Sequence, residues 1–524
     1  MNQTLNRFDV VVAGATPGGI AAAIAAARYG HTVALVEGHA HVGGMAASGL
    51  GKSDIEHRGM IRGIFQEFVD HVRDHYLARF GSDGHDFALC RDGYYYEPSV
   101  AEAVFTQMLA AEPGIHVLLG ARIESAESQD GKIVAASFRT CSSGTVQRLK
   151  AHVFIDATYE GDLFAAAGAA FRIGREGQAD FAEPHAGQIY FDYQNVRLLP
   201  RSTLLGDDRL PAYTYRLCLT TRTDNAVPLT APPDGYDRAT YLPYLEDLQA
   251  GRLAGPAKLV EGRGYYPAHF NTPVRALSVA EIPNGKVDAN INPRPLAFPF
   301  PEENAGYLQA DWARRDAIAR RHRELVLGLL WFIQNDPAIS RAHRALANAY
   351  HLPRDEFADN GHFPFQLYVR EGRRLQGLYT LTEHDVAETG VAGYSRRHVD
   401  AIAVGEFPID SFPVRKRQAG DDIVLEGYIG MLEAITRPYQ IPYRIMVPAA
   451  VDGLLVPVAA SATHVAFSTI RMEPTWMALG QAAGTAAHLA IRSGLPVRDV
   501  PSNALQQALL AAGQVLHPEA VDRT

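Results

Sequence analysis

The chain has 524 residues, 47% of them hydrophobic and 20% charged, long enough for two or more domains with ample core and unlike a disordered or membrane-saturated composition. Its net charge of -9 argues against nucleic acid as a partner, which calls for a broad basic face. Cys90, Cys141 and Cys218 lie far apart with no CxxC pair, which argues against a disulfide framework or zinc site, so no metal is expected and buried structural thiols are.

Residues 8–13, FDVVVA, predict a short parallel strand buried on both faces. The uncharged run from 10 to 27 is broken at Gly14, Pro17, Gly18 and Gly19, unlike the unbroken core of a secretory signal. No window offers the ~18 uninterrupted apolar residues of a spanning helix, so a cytoplasmic protein without a membrane span is expected. Residues 18–29 predict a helix of small residues with Gly30 at its C-terminal cap, and 32–36 a second strand. Strand, glycine turn, helix and strand make one βαβ unit.

In that unit Gly14 makes the tight turn, Gly19 lets the helix sit close to the strand, and the helix N-terminus faces a pyrophosphate. Glu37, ending the second strand, is placed for ribose hydroxyls and disfavours a 2′-phosphate, hence NADP. Thr16 stands where GxGxxG has its middle glycine. A second glycine pair, Gly43 and Gly44, with Met45 beside it, is unusual for an NAD enzyme and suits a loop along the longer FAD. His57 and Arg58 follow, expected at the start of the next helix, His57 as a catalytic candidate and both as lining of a flavin face, or else at the surface.

Further on, PSVAEAVFTQMLAAE predicts a helix, then come IHVLL and an antiparallel run through KIVAASFRT and TVQRLKAHV. A strand from 153 ends in Asp156-Ala157-Thr158, so Ala157 and Thr158 are expected against the cofactor backbone. From about 169 to 440 the composition turns to tyrosine, proline and arginine. One long amphipathic helix is expected at 306–334. In 359–374, Gln366, Tyr368 and Arg370 alternate as on one face of a strand. They wall a polar pocket if that face looks at the flavin, or belong to an interdomain hydrogen-bond network.

A strand at 453–459 leads through a loop to a long Ala/Gly-rich helix with Pro474 in its first turn. That helix N-terminus offers positive potential to a reduced flavin. Ser461 occupies the strand-end position where many flavoproteins bond the ribityl chain through an aspartate. His464 is the best-placed base, or a flavin or core hydrogen-bonder. Arg471 is a fixed charge for the flavin or a substrate carboxylate, or else an ion-pair partner of Glu473 or Asp452.

The phrases VAGATPGGIAAAIAAARYG, VGGMAASGLGKSDIEHRG, YEPSVAEAVF, NGKVDANIN, LLWFIQNDP, FPFQLYVREGRRL, QIPYR and ATHVAFSTIRMEPTWMALGQAAGTAA, spread from 11 to 487, resemble a bacterial FAD-dependent oxidoreductase family of the glutathione-reductase-like FAD/NAD(P)-binding fold. The resemblance implies that Thr-Pro is the usual form of the first turn, with the Thr16 N–H and hydroxyl available to phosphate. It also implies that Ile123 lies beside the adenine. The expected class is α/β: a Rossmann-like FAD-binding domain (1–168 and 441–524) with an inserted β-meander, around an α+β substrate domain (169–440).

The expected activity is a dehydrogenase or oxidase taking a hydride from a small or medium polar substrate: a sugar, polyol, amine or hydroxylated metabolite. A flavin monooxygenase, a non-redox elimination or isomerisation catalyst, and a non-catalytic flavin-binding assembly protein stay open beside it. No second strand–GxGxxG–helix unit occupies the middle of the sequence, so electrons are expected to leave to oxygen, a quinone or another protein. A homo-oligomer is left open.

Overall fold

The computed structural model describes residues 6–520 except 193–196, 255–270, 292–297, 299, 388–394, 419–420, 422–423 and 433. The last residue of NGKVDANIN therefore lies outside the described residues. Strand β1 (Val10–Ala13) is followed by helix α1 (Pro17–Arg28) and strand β2 (Val33–Val36). Helices α2 (Ile64–Phe80) and α3 (Pro98–Ala110) lead to β3 (Ile115–Leu118). Strands β4 (Ala121–Gln129), β5 (Lys132–Thr140) and β6 (Val146–Lys150) form an antiparallel meander before β7 (Val153–Asp156).

The middle of the chain contributes an antiparallel sheet of β8 (Leu217–Thr220), β9 (Val279–Ile282) and β10 (Lys286–Ala289), and the long helix α4 (Trp312–Asn335). Strand β11 (Leu454–Leu455) then returns to the first sheet. Helices α5 (His464–Ile470) and α6 (Glu473–Ser493) follow it.

The parallel sheet has the order β11-β7-β1-β2-β3, with Val10 opposite both Val33 and Val153. Every residue of β1, β2 and β7 is buried, as expected of parallel strands covered on both faces. Alternation sorts β1 between two cores. Val10 and Val12 join Ile20 and Ile24 of α1 on the helical side, while Val11 and Ala13 meet Phe138 and Leu149 of the meander.

On the helical side α1 and α6 cross almost without side chains between them. A Cβ added at Gly480 would land on the Gly18 carbonyl oxygen, so the approach requires glycine.

Several elements differ from the sequence expectation. The strand expected at 453–459 is only Leu454–Leu455: Val456 turns its N–H to Met446, and the Ala459 carbonyl accepts from Leu375. The loop expected before the long helix contains α5, whose start is fixed by Thr463: that side chain accepts from the Ala466 N–H as an N-cap. Helix α4 starts at Trp312 because the Asp311 carboxylate caps the Arg314 N–H. The stretch QLYVR is no strand; Tyr368 makes only a single bridge, to Thr214. Cys90 and Cys218 are buried thiols, but Cys141 is exposed.

Candidate active site

β1, β2 and β7 end at Ala13, Val36 and Asp156, and the residues just beyond them open into a cleft at the carboxyl ends of the strands. Gly14, Thr16, Glu37, Ile123 and Thr158 line it from the sheet and meander, facing Tyr307, Trp312 and Arg315. Gly14 has φ +92°, and a Cβ there would lie 2.7 Å from the Ala157 oxygen, so the turn is closed to other residues.

Glu37 accepts from the Ala15 N–H at 2.8 Å and the His39 N–H at 2.9 Å. Burial pushes its carboxyl above the usual range. A carboxylate has about four acceptor positions, so two N–H groups leave capacity toward the cleft. The Thr16 hydroxyl donates to the Ala157 carbonyl (2.8 Å) and accepts from the Gly19 N–H (3.2 Å). It ties α1 to the end of β7; the expected hydroxyl–phosphate contact gives way to this N-cap. Pro17, Gly18 and Gly19 form the first turn of α1. The Thr158 hydroxyl donates to Asp156.

The second glycine loop lies on the first: Gly43 donates to the Ala15 carbonyl at 2.8 Å. Gly44 and Met45 begin a short 3-10 turn, and the Met45 N–H donates to the Tyr159 hydroxyl at 3.0 Å. The Tyr159 ring stands 5.3 Å from that of Trp476, in the first turn of α6. There the Trp476 indole N–H and both Glu473 carboxyl oxygens are buried without a partner among the described residues. Burial, reinforced by Asp54, pushes the Glu473 carboxyl up to about 8, so it is largely protonated at neutral pH.

His464 opens α5, and its Nδ1 lies 2.7 Å from Glu371 Oε2. A carboxylate only accepts, so Nδ1 carries the proton of this hydrogen bond. The His464 backbone N–H donates to Glu176 at 2.9 Å, and Arg374 pairs with both Glu176 and Glu371 at 2.8 Å. Arg471 donates to the Tyr368 hydroxyl and the Asp410 carbonyl, each at 2.8 Å. Its acidic partner is Asp410, at 3.5 Å, in place of the expected Glu473 or Asp452.

A family model described as FAD dependent oxidoreductase matches residues 9–509. The chain belongs to that family. The digeranylgeranylglycerophospholipid reductase 2 of Methanopyrus kandleri is 29% identical over 177 residues, 32% of this chain and 39% of the relative. The chain thus spans about two fifths of that protein's length. Among solved structures, Thermovibrio ammonificans THI4 is 18% identical over 32% of this chain and 66% of its own, with a TM-score of 0.24. The glycerol-3-phosphate dehydrogenase of Bacillus halodurans, complexed with FAD, is 18% identical over 37% of this chain and 45% of its own, also at 0.24.

The residues of this FAD-dependent oxidoreductase fit the cofactor. A side-chain-free turn at Gly14 opens on the cleft, Glu37 keeps acceptor capacity, and orphaned polar atoms at Glu473 and Trp476 wait at the start of α6. Other expected residues sit apart from the cleft. Ala157 lies beneath the first turn, joined to Ala13 and Thr16. Ser461 is buried beyond the end of β11, its hydroxyl 3.2 Å from that of Thr380. His57 is exposed in the turn before α2, and its N–H donates to Glu406; α2 begins only at Ile64, which leaves His57 without a place at the site.

Sequence reasoning missed Tyr159, Tyr307, Trp312, Arg315 and Glu371. The Trp312 indole donates to the Ile123 carbonyl at 3.1 Å, so α4, expected to serve the substrate, also covers this cleft. The Asp311 cap was the one local signal for that helix start.

Proposed function

We propose that this flavoprotein is a dehydrogenase or oxidase that removes a hydride from a carbon bearing a hydroxyl or amine, on a small or medium polar substrate. The observation that carries this reading is the Glu371–His464 pair. A carboxylate fixes Nδ1, and Nε2, with no partner among the described residues, is left to take the proton from the substrate hydroxyl or ammonium. FAD, when bound, supplies the two-electron acceptor.

Gly14, Thr16 and the first turn of α1 are assigned to the diphosphate, Glu37 to the adenosine ribose and Ile123 to the adenine. Gly43, Gly44, Met45 and Thr158 are assigned to the rest of the cofactor chain; Ala157 and Ser461, buried apart from the cleft, are left out of it. Residues 1–168 and 441–524 make the cofactor domain in this reading, with 169–440 as the substrate domain; the return of β11 beside β7 supports the division. Electrons pass on to oxygen, a quinone or another protein, in keeping with a sequence that has a single dinucleotide turn. Among the described residues no helix is long and apolar enough to cross a membrane, which is compatible with a cytoplasmic location.

The test is anaerobic mixing of the flavin-loaded protein with polyols, sugars, amines, hydroxy acids and amino acids. At least one class is expected to bleach the oxidised flavin band. His464→Gln is expected to slow that bleaching by about 10²–10⁴-fold at unchanged flavin content. A panel that never bleaches the band, or an unimpaired His464→Gln, contradicts the reading.

A further inference from the structure

Arg370 is a buried cation without an anion. It is 1% exposed, and its one hydrogen bond among the described residues runs from Nη1 to the Ala212 carbonyl at 2.5 Å. Its Nε and Nη2 groups are buried without partners, and no carboxylate among the described residues lies within ion-pair distance of it. A guanidinium removed from water in this way is strongly unfavourable unless something supplies the missing charge and acceptors.

The nearby carboxylates are already engaged. Arg216 holds Asp288 at 2.5 Å and lies 3.6 Å from Asp54, and Arg471 faces Asp410. The Arg370 guanidinium lies over the rings of Phe412 and Tyr368, 3.9 and 4.4 Å from their centroids. Arg471 approaches the same two rings, at 5.8 and 6.0 Å. His322, fully buried with both ring nitrogens unpartnered, feels the Arg370 charge and is held neutral, its pKa brought down to about 3 chiefly by burial.

We propose that Arg370, backed by Arg471, is an anion subsite that binds the carboxylate of the substrate. One unpaired guanidinium between two aromatic faces suits a planar monoanion that takes two parallel N–H bonds; a phosphate dianion calls for more donors than the site leaves free. The next residue, Glu371, holds His464, so anion site and base hang on one segment. The inference rests on the hydride-removal reading and narrows its substrates to hydroxy acids or amino acids.

Equilibrium calorimetry on the flavin-loaded protein tests it without turnover, using acetate, propionate and benzoate beside acetamide, propionamide and benzamide. At least one carboxylate is expected to bind one per chain, at least tenfold tighter than its amide. Arg370→Met is expected to weaken that binding at least tenfold, with Arg370→Lys between. Without added anion, Arg370→Met should unfold at the same temperature as the parent or higher, because it removes an unpaired buried charge; an arginine needed only for structure would lower it.

Amides binding as well as acids, no carboxylate binding at all, unchanged affinity in Arg370→Met, or a lowered unfolding temperature would each overturn the subsite. Bleaching by neutral polyols as efficient as by acids would overturn the subsite and leave hydride removal standing. Carboxylate binding with no bleaching by any acid would do the reverse.

Discussion

Around α1 and α6 the chain closes backbone against backbone, with Gly480 over the Gly18 carbonyl and alanines filling the rest. Between 169 and 440 the buried contacts are of another kind. Arg175 holds Asp207 and Glu426 at 2.6 Å each, Arg216 holds Asp288, and Lys286 reaches Glu97 and Glu356 at 2.7 and 2.6 Å. The first region is intolerant of volume, the second of charge. Buried ion pairs add little net stability but are costly to break.

The sharpest test of that contrast is Arg175→Met, which takes the shared cation from Glu426 and the partly exposed Asp207 and leaves them only Arg415 at 3.6 Å and Arg209 at 3.9 Å. A loss of about 3–5 kcal/mol is expected in urea unfolding; a loss under ~1 kcal/mol would mean the middle region is not held by its charges.

Next comes Glu473, a buried carboxyl without a partner among the described residues, in the half closed by main-chain packing. Its folded pKa of about 8 lies above the ordinary glutamate value near 4.3. The folded state therefore holds an extra proton between those values, and its stability falls as pH rises through that window. Glu473→Gln removes the loss, so its unfolding midpoint should gain on the parent from pH 5 to pH 8, by a few kcal/mol on the order-of-magnitude scale of ~1.4 kcal/mol per unit. Parallel curves would refute the assignment.

A smaller effect is expected at the helix crossing. Gly480→Ala should cost about 1–3 kcal/mol through overpacking, read by the same denaturation, with flavin content lowered in step. The smallest is at the surface, where Arg148 and Glu127 pair at 2.6 Å on the exposed meander; Arg148→Ala should leave the unfolding midpoint unchanged.

The same contrast explains what the sequence made legible. Gly14, Glu37 and the helix from Pro17 follow each other within one βαβ unit, so spacing alone places them at the strand ends. Asp156 and Thr158 are readable for the same reason. The middle region is built from partners far apart in the chain, as when Arg315 and Arg373 converge on Asp162 at 2.6 and 2.8 Å. No period or local motif announces such pairs. Tyr368 and Arg370 were picked out by an alternation suited to a strand, yet they meet through a cation over a ring. His57 misled because the glycine loop continues to Gly63 before α2 starts. Ser461 misled because β11 ends early, its continuation drawn away by Met446 and Leu375.

In the reading proposed above, the cleft beyond β1, β2 and β7, with Glu37 and Ile123 on its wall, holds the adenosine half of the cofactor. Calorimetric titration of flavin-free protein with FAD and with FMN, which lacks that half, tests it most directly. FAD should bind one per chain and at least about a hundredfold tighter than FMN, about 2.7 kcal/mol. Equal affinity for the two flavins would contradict the account.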